Sequence, residues 1–393
     1  MDIKPADRIS SIKPYFFADL QKTIDRLKKA SVDVIRLDMG SPDLPPNDHI
    51  IEALVDAARQ PDMHGYGPAG GSEAHRTAFA QYYQRRFTIS LDPQREVLGL
   101  IGSKEGVFHL SQVLINPGDL VLVPDPAYPV YGIGARIAQA ETYNMPLLAE
   151  NGFLPDLKAI PETIAEKAKI MWLNYPNNPT GAVAPLDFFT RVVDFAKRYN
   201  IIVAHDAPYV DVCFDHYQAP SILQVEGAKD IAVEFNSVSK TYNMAGWRIG
   251  VAAGNHEIIR LLRVYKSQID SSHFKPIMIA ADKALTGSQT WIEDRNAIYQ
   301  KRRDIIVATL RDLGFTLEVP KASLYVWAKL PEHFSDSYRF CEQLLESTGV
   351  SVTPGDVYGR SGAGYIRISI VTPAERLSEA MQRMAIWMGE TVQ

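Results

Sequence analysis

KIMWLNYP (169–176), PLDFFTRVVDFAKRYN (185–200) and IIVAHDAPY (201–209) write out one strand–helix–strand unit in residue types alone. The first and third runs are short, rich in Val, Ile and Leu, and end in Asn, Pro or Asp, which predicts strands buried on both faces. The middle run places apolar residues at 188, 189, 192, 193, 195 and 196, the spacing of a helix with one apolar face. Before this unit stand EVLGLIG (96–102) and LVLVPDP (120–126); after it come IAVEFNSVS (231–239) and WRIGVAAG (247–254). Such alternation predicts an α/β fold, a mostly parallel sheet with helices on both faces. In sheets of that kind ligands bind beyond the carboxyl ends of the strands.

The flanks follow a different pattern. Residues 1–46 hold one helical stretch, YFFADLQKTIDRLKKA, and an extended loop, MGSPDLPPND. After residue 287 a long charged helix, TWIEDRNAIYQKRRDIIVATLRDLG, stops at Gly314, and its basic run QKRRD (300–304) reads as a solvated face. Two short strands, SLYVWAKL and YIRISI, follow, then a helix opened by Thr372, Pro373, Ala374 and Glu375 in the order of a capping box. The expected division is a large domain, 47–287, and a smaller α+β domain from 1–46 and 288–393.

Composition excludes several function classes. The chain has 393 residues, 46% of them apolar and 22% charged, with 41 Lys and Arg against 46 Asp and Glu and a formal net charge of −5. This is the usage of an ordinary soluble globular protein. No basic footprint for nucleic acid is present, nor a run of about 18 apolar residues to span a membrane. The opening MDIKPADRIS lacks the apolar centre of a signal peptide, so the cytoplasm is the expected compartment. Cys213 and Cys341 lie too far apart in sequence to suggest a disulfide framework, and the nine histidines show no metal-ligand spacing, so no metal is expected. GIGARIA (132–138) follows no strand and lacks a third glycine, which excludes a dinucleotide fingerprint.

Chemistry concentrates at the strand ends. NSVSKTYNMAGWRIG (236–250) gathers Ser237, Ser239, Lys240 and Arg248: phosphate-type donors together with a primary amine. A phosphorylated aldehyde cofactor needs that set. GSKEG (102–106) opens a helix, with Ser103 as the expected N-cap and Lys104 beside it, an arrangement that binds anions. NYPNNPTG (174–181) offers Asn178, and PDPAYPVY (124–131) sets Tyr128 on a proline-stiffened turn. Asp206 ends the apolar strand IIVA, where an unpaired carboxylate is costly and a protonated pyridine nitrogen would neutralise it. His205 and His109 read as core or sheet-end residues.

Jointly, and in this order along nearly the whole chain, these motifs resemble the class I/II aminotransferases, the fold-type-I superfamily of pyridoxal 5′-phosphate enzymes. The resemblance begins with the L-x-x-G-x-P-D pattern at 37–43 and ends at the arginine strand containing Arg367. It implies that Lys240 carries the cofactor as a Schiff base and later moves a proton. Asp206 would pair with the pyridinium nitrogen, Asn178 and Tyr209 would bond the phenolic oxygen, and Tyr128 would stack on the ring. Ser103, Lys104, Ser237, Ser239 and Arg248 would hold the phosphate. Tyr66, in YGPAGG, resembles the tyrosine that reaches the neighbouring subunit's phosphate, which implies a homodimer. Arg367 would clamp the substrate α-carboxylate, a bidentate task suited to arginine, with Gly40 contacting it through backbone. Pro208 departs from the small residue common in the family.

The expected reaction moves an amino group between an L-amino acid and a 2-oxo acid, with 2-oxoglutarate and glutamate as one pair. Stretches such as NYPNNPTGAV and ENGFLPDL resemble the bacterial branch of LL-diaminopimelate and alanine aminotransferases, leaning to the former and hence to lysine biosynthesis. An alanine-type or broad-specificity transaminase is the alternative, and a lyase on the same fold a further one. A cofactor-sensing regulator would need a basic DNA-binding module, for which the N-terminal segment is too short. Lys266, Ser271 and Tyr15 lie in segments that could border the pocket.

Overall fold

A computed structural model describes residues 1, 3–10, 12 and 16–391. Seven strands form the central sheet: β1 (Val97–Leu100), β2 (Leu120–Asp125), β3 (Glu141–Pro146), β4 (Ala168–Asn174), β5 (Ile202–Asp206), β6 (Ala232–Ser237) and β7 (Gly250–Gly254). Their spatial order is β1-β7-β6-β5-β4-β2-β3. β7 runs antiparallel to both neighbours, and the other pairs are parallel. β1, β2, β4, β5, β6 and β7 are the six apolar runs of the sequence, and nearly every residue in them is buried.

Alternation along each strand sends side chains into two cores. Leu120, Leu122, Met171, Leu173 and Val203 face one side, where α3 (Glu73–Phe87), α6 (Leu186–Tyr199) and α8 (Lys275–Thr286) cover them. Val121, Val123, Ile170, Trp172 and Ala204 face the other, under α4 (Ser103–Leu114), α5 (Val130–Ile137) and α7 (His256–Lys266). α6 buries Phe188, Phe189, Val192, Val193 and Ala196, five of the six apolar positions expected inside. It stops at Asn200 in the left-handed conformation, a common helix C-cap device.

A third core joins Ile35 and Leu37 to the chain's last hundred residues. There α9 (Thr290–Asp312), α10 (Ser337–Thr348) and α11 (Ala374–Thr391) pack on a three-stranded antiparallel sheet of β8 (Tyr325–Lys329), β9 (Thr353–Pro354) and β10 (Tyr365–Ser369), in the order β9-β10-β8. Ile35–Arg36 pairs with Val350–Ser351, so the N-terminal segment is stitched to this unit. The basic run on α9 is corrected here: Arg302 and Arg303 are buried, paired bidentately with Asp43 and Asp215. Thr372 gives its hydroxyl proton to the Arg36 carbonyl. No helix among the described residues is long and apolar enough to cross a membrane.

Candidate active site

The carboxyl ends of β4, β5 and β6 open into a cavity of about 450 Å³ that the small sheet closes from the far side. Its lining brings together Gly40, Ser103, Lys104, Tyr128, Asn178, Asp206, Tyr209, Ser237, Ser239, Lys240, Arg248 and Arg367. These residues span more than three hundred positions of sequence. Tyr66 lies outside the cavity with 91% of its surface exposed.

Lys240 sits on a single helical turn, Val238–Thr241, directly after β6. Its ammonium donates to the Gly40 carbonyl at 2.6 Å. Burial, with Arg248 and Arg367 nearby, brings its pKa down to about 8. Behind it Arg295, buried on α9, donates to the carbonyls of Lys240 and Thr241 at 2.6 and 2.7 Å and fixes the turn.

Asp206 closes β5 in the middle of the sheet. Its Oδ2 accepts the Tyr131 hydroxyl at 2.7 Å, and Tyr131 is in turn stacked on Trp172. Oδ1 is buried with no hydrogen-bond partner. Burial pushes the carboxyl up to about 6. Its neighbour His205 is wholly buried, bridging Glu234 and the Tyr175 carbonyl, as a core histidine should.

The anion end is formed where β1 and β7 meet α4. Here the N-cap is Gly102 at φ 74°, a conformation that strains any residue with a side chain, and Ser103 is the first helical residue. A Cβ there would lie 2.1 Å from an Arg248 guanidinium nitrogen, so glycine lets the arginine close on the helix start. The amide of Ser239 donates to the Ser237 hydroxyl at 3.1 Å. Lys104 stands beside Tyr128, its pKa lowered by burial and by Arg248.

At the other end Arg367 projects from β10, donating to Asn178 Oδ1 at 3.0 Å and the Asp38 carbonyl at 2.6 Å. Its Nε is buried without a hydrogen-bond partner. Tyr209, pushed well above the ordinary phenol range by burial, lies 3.0 Å from the Tyr325 hydroxyl.

Tyr131, Tyr325, Phe17 and Tyr358 also line the cavity, and sequence reasoning missed them. Tyr131 had a weak signal, three residues beyond Tyr128 at the end of the same quoted run; Phe17 on a helix and Tyr325 on a strand gave none. Lys266 is not at the cavity. It is buried beneath the cradle, paired with Glu105 and Asp270 at 2.8 and 2.7 Å. Ser271 is exposed and does not line the cavity, and Tyr15 lies outside the described residues.

The donor set suits one kind of occupant. An amine of lowered pKa stands between an anion cradle and a second cationic clamp, and an orphaned carboxylate oxygen awaits a cationic N–H. Pyridoxal 5′-phosphate matches each of these demands. The profile of the family "Aminotransferase class I and II" matches residues 32–384. The chain is similar to an LL-diaminopimelate aminotransferase of Moorella thermoacetica, 49% identical over 99% of each chain. A protein of the same name from Desulforudis audaxviator is 50% identical over 99% of each. Among solved structures, substrate-bound BacF from Bacillus subtilis superposes with a TM-score of 0.94, at 40% identity and 98% coverage of both chains. The chain thus belongs to the class I and II aminotransferases, pyridoxal-phosphate-dependent enzymes that exchange an amino group between an amino acid and a 2-oxo acid.

Proposed function

We propose that this enzyme is an LL-diaminopimelate aminotransferase, with 2-oxoglutarate and glutamate as the second pair, acting in lysine biosynthesis. One observation carries the substrate: the relatives from Moorella and Desulforudis, matched end to end at about half identity, both bear that name.

When bound, pyridoxal 5′-phosphate supplies an aldehyde that accepts amines and a ring that withdraws electrons from a substrate's α-carbon. Lys240 provides the amine that holds it and, once displaced, the base that moves a proton at the α-carbon. A pKa near 8 keeps part of the population neutral at physiological pH. Asp206 Oδ1 receives the ring N–H, while Tyr131 restrains the other oxygen. Asn178 and Tyr209 would bond the phenolic oxygen, and Tyr128 and Pro208, both lining the cavity, would flank the ring. Ser103, Lys104, Ser237, Ser239 and Arg248 hold the phosphate. Arg367, with its spare Nε–H, and the backbone of Gly40 hold the substrate α-carboxylate. The chain works as a cytoplasmic homodimer in which Tyr66 completes the partner's phosphate site. Residues 47–287 form the cofactor domain, and residues 1–46 with 288–393 the smaller one.

The test is the visible spectrum of the cofactor-loaded enzyme as LL-diaminopimelate, L-alanine and L-glutamate are added separately. Conversion to the pyridoxamine form by LL-diaminopimelate and glutamate, with alanine inert, is the expected result. Conversion by alanine and not by LL-diaminopimelate overturns the substrate assignment.

A further inference from the structure

Tyr325 touches three parts of the site at once. It opens β8, pairs through its backbone with Ser369 on β10, and is 3% exposed. Its ring lies under Arg367, the guanidinium carbon 4.1 Å from the ring centroid. A Cβ on Gly40 would fall 2.0 Å from the Tyr325 hydroxyl, so that hydroxyl fills space left by the missing side chain. Its hydroxyl is also 3.0 Å from that of Tyr209, with the two rings edge to face.

Each of the two phenols has one proton to give. If Tyr209 donates to Tyr325, Tyr209 keeps no proton for an acceptor in the cavity. If Tyr325 donates to Tyr209, the Tyr209 proton is turned inward, and the chained bonds polarise one another by about 10–30%. We propose that Tyr325 is a positioning residue: its hydroxyl donates to Tyr209 and thereby directs the Tyr209 proton to the cofactor's phenolic oxygen. This rests on the role proposed above for Tyr209. The ring clamped under Arg367 and the hydroxyl seated against Gly40 leave Tyr325 no room to turn away. The charged groups that act on Tyr209 are Arg367 from β10 and Asp206 from β5, and those that act on Lys240, whose imine is titrated, are Arg248 and Arg367. Removing one neutral hydroxyl alters none of them directly.

The experiment is a pH titration of the visible band of the pyridoxal-phosphate-loaded enzyme. A donor to the phenolic oxygen competes with the imine proton for that oxygen, so a weaker donor raises the midpoint. Tyr325→Phe keeps the ring beneath Arg367 and should raise it by about 0.1–0.7 pH unit, the 10–30% that the chained bond adds to a charge-assisted hydrogen bond. Tyr209→Phe should raise it at least as far, and the double variant no further than Tyr209→Phe alone. A normal midpoint in Tyr325→Phe beside a raised one in Tyr209→Phe overturns the proposal and leaves the role of Tyr209 intact. Additive shifts also overturn it, because the hydroxyl would then act by another route. No shift in either variant removes Tyr209 from the phenolic oxygen, and Tyr325 with it. A tyrosine that served only packing would leave the midpoint unmoved.

Discussion

Asp206 is held by the fold in a state that water would not favour. Its pKa is about 6 against an ordinary 3.8, chiefly through burial. The folded chain therefore binds this proton more tightly than the unfolded one, and stability present below pH 3.8 is lost as pH rises towards 6. Asparagine has no such proton. Asp206→Asn apoprotein should gain at most about 3 kcal/mol on the parent in denaturant titrations between pH 4 and 6, and nothing further above that. A lead that does not vary with pH would mean burial is not what governs Asp206. Its misfit with water is also what made this residue legible, because a carboxylate at the tip of an apolar strand demands a partner. Lys240 among serines and Arg367 alone in YIRISI were legible for the same reason. Tyr131 and Tyr325 were not: an aromatic in an apolar run reads as core, and only the fold shows where its hydroxyl goes.

The turn from β1 into α4 shows how an element makes a site that no single residue could. Gly102 at φ 74° lets the chain reverse, and the absent Cβ admits Arg248 to the helix start. Gly250 allows a second close approach, since a Cβ there would lie 2.4 Å from the Ser103 amide. Gly102→Ala should displace Arg248 and lower apoprotein affinity for pyridoxal 5′-phosphate by about 10- to 100-fold, the loss of a charge-assisted hydrogen bond. Pyridoxal, which has no phosphate, should bind almost as before. Equal losses for both ligands in a fluorescence titration would show that the turn does not serve the phosphate. Strands and helices were legible here because their apolar periods are local. The cap was displaced by one residue because Ser103 has the chemistry of an N-cap, while position 102 has the conformation only glycine adopts easily. QKRRD misled because the carboxylates that bury Arg302 and Arg303 are Asp43 and Asp215, far away in sequence.

In the molecule as a whole, the cavity lies where the large sheet's strand ends meet the third core, so its lining is drawn from Phe17 to Arg367. Tyr66, expected at the neighbouring subunit's phosphate, is exposed outside this chain's own cavity, and its surroundings suggest where a partner would sit. Ile51 and Val55 on α2 (Asp48–Ala58), and Phe274 and Ile279 at and on α8, are exposed. α8 packs along α2, and Phe274 meets His64 two residues before Tyr66. In the homodimer proposed above, a second copy of the chain seated on this face would bury these side chains and receive Tyr66. The parent protein should then sediment at twice 43.8 kDa. Ile279→Glu, a charge placed in that face, should yield monomers whose affinity for pyridoxal 5′-phosphate falls together with the dimer fraction. Monomers that keep full affinity would exclude Tyr66 from any phosphate site, and a monomeric parent would remove the shared-site reading entirely.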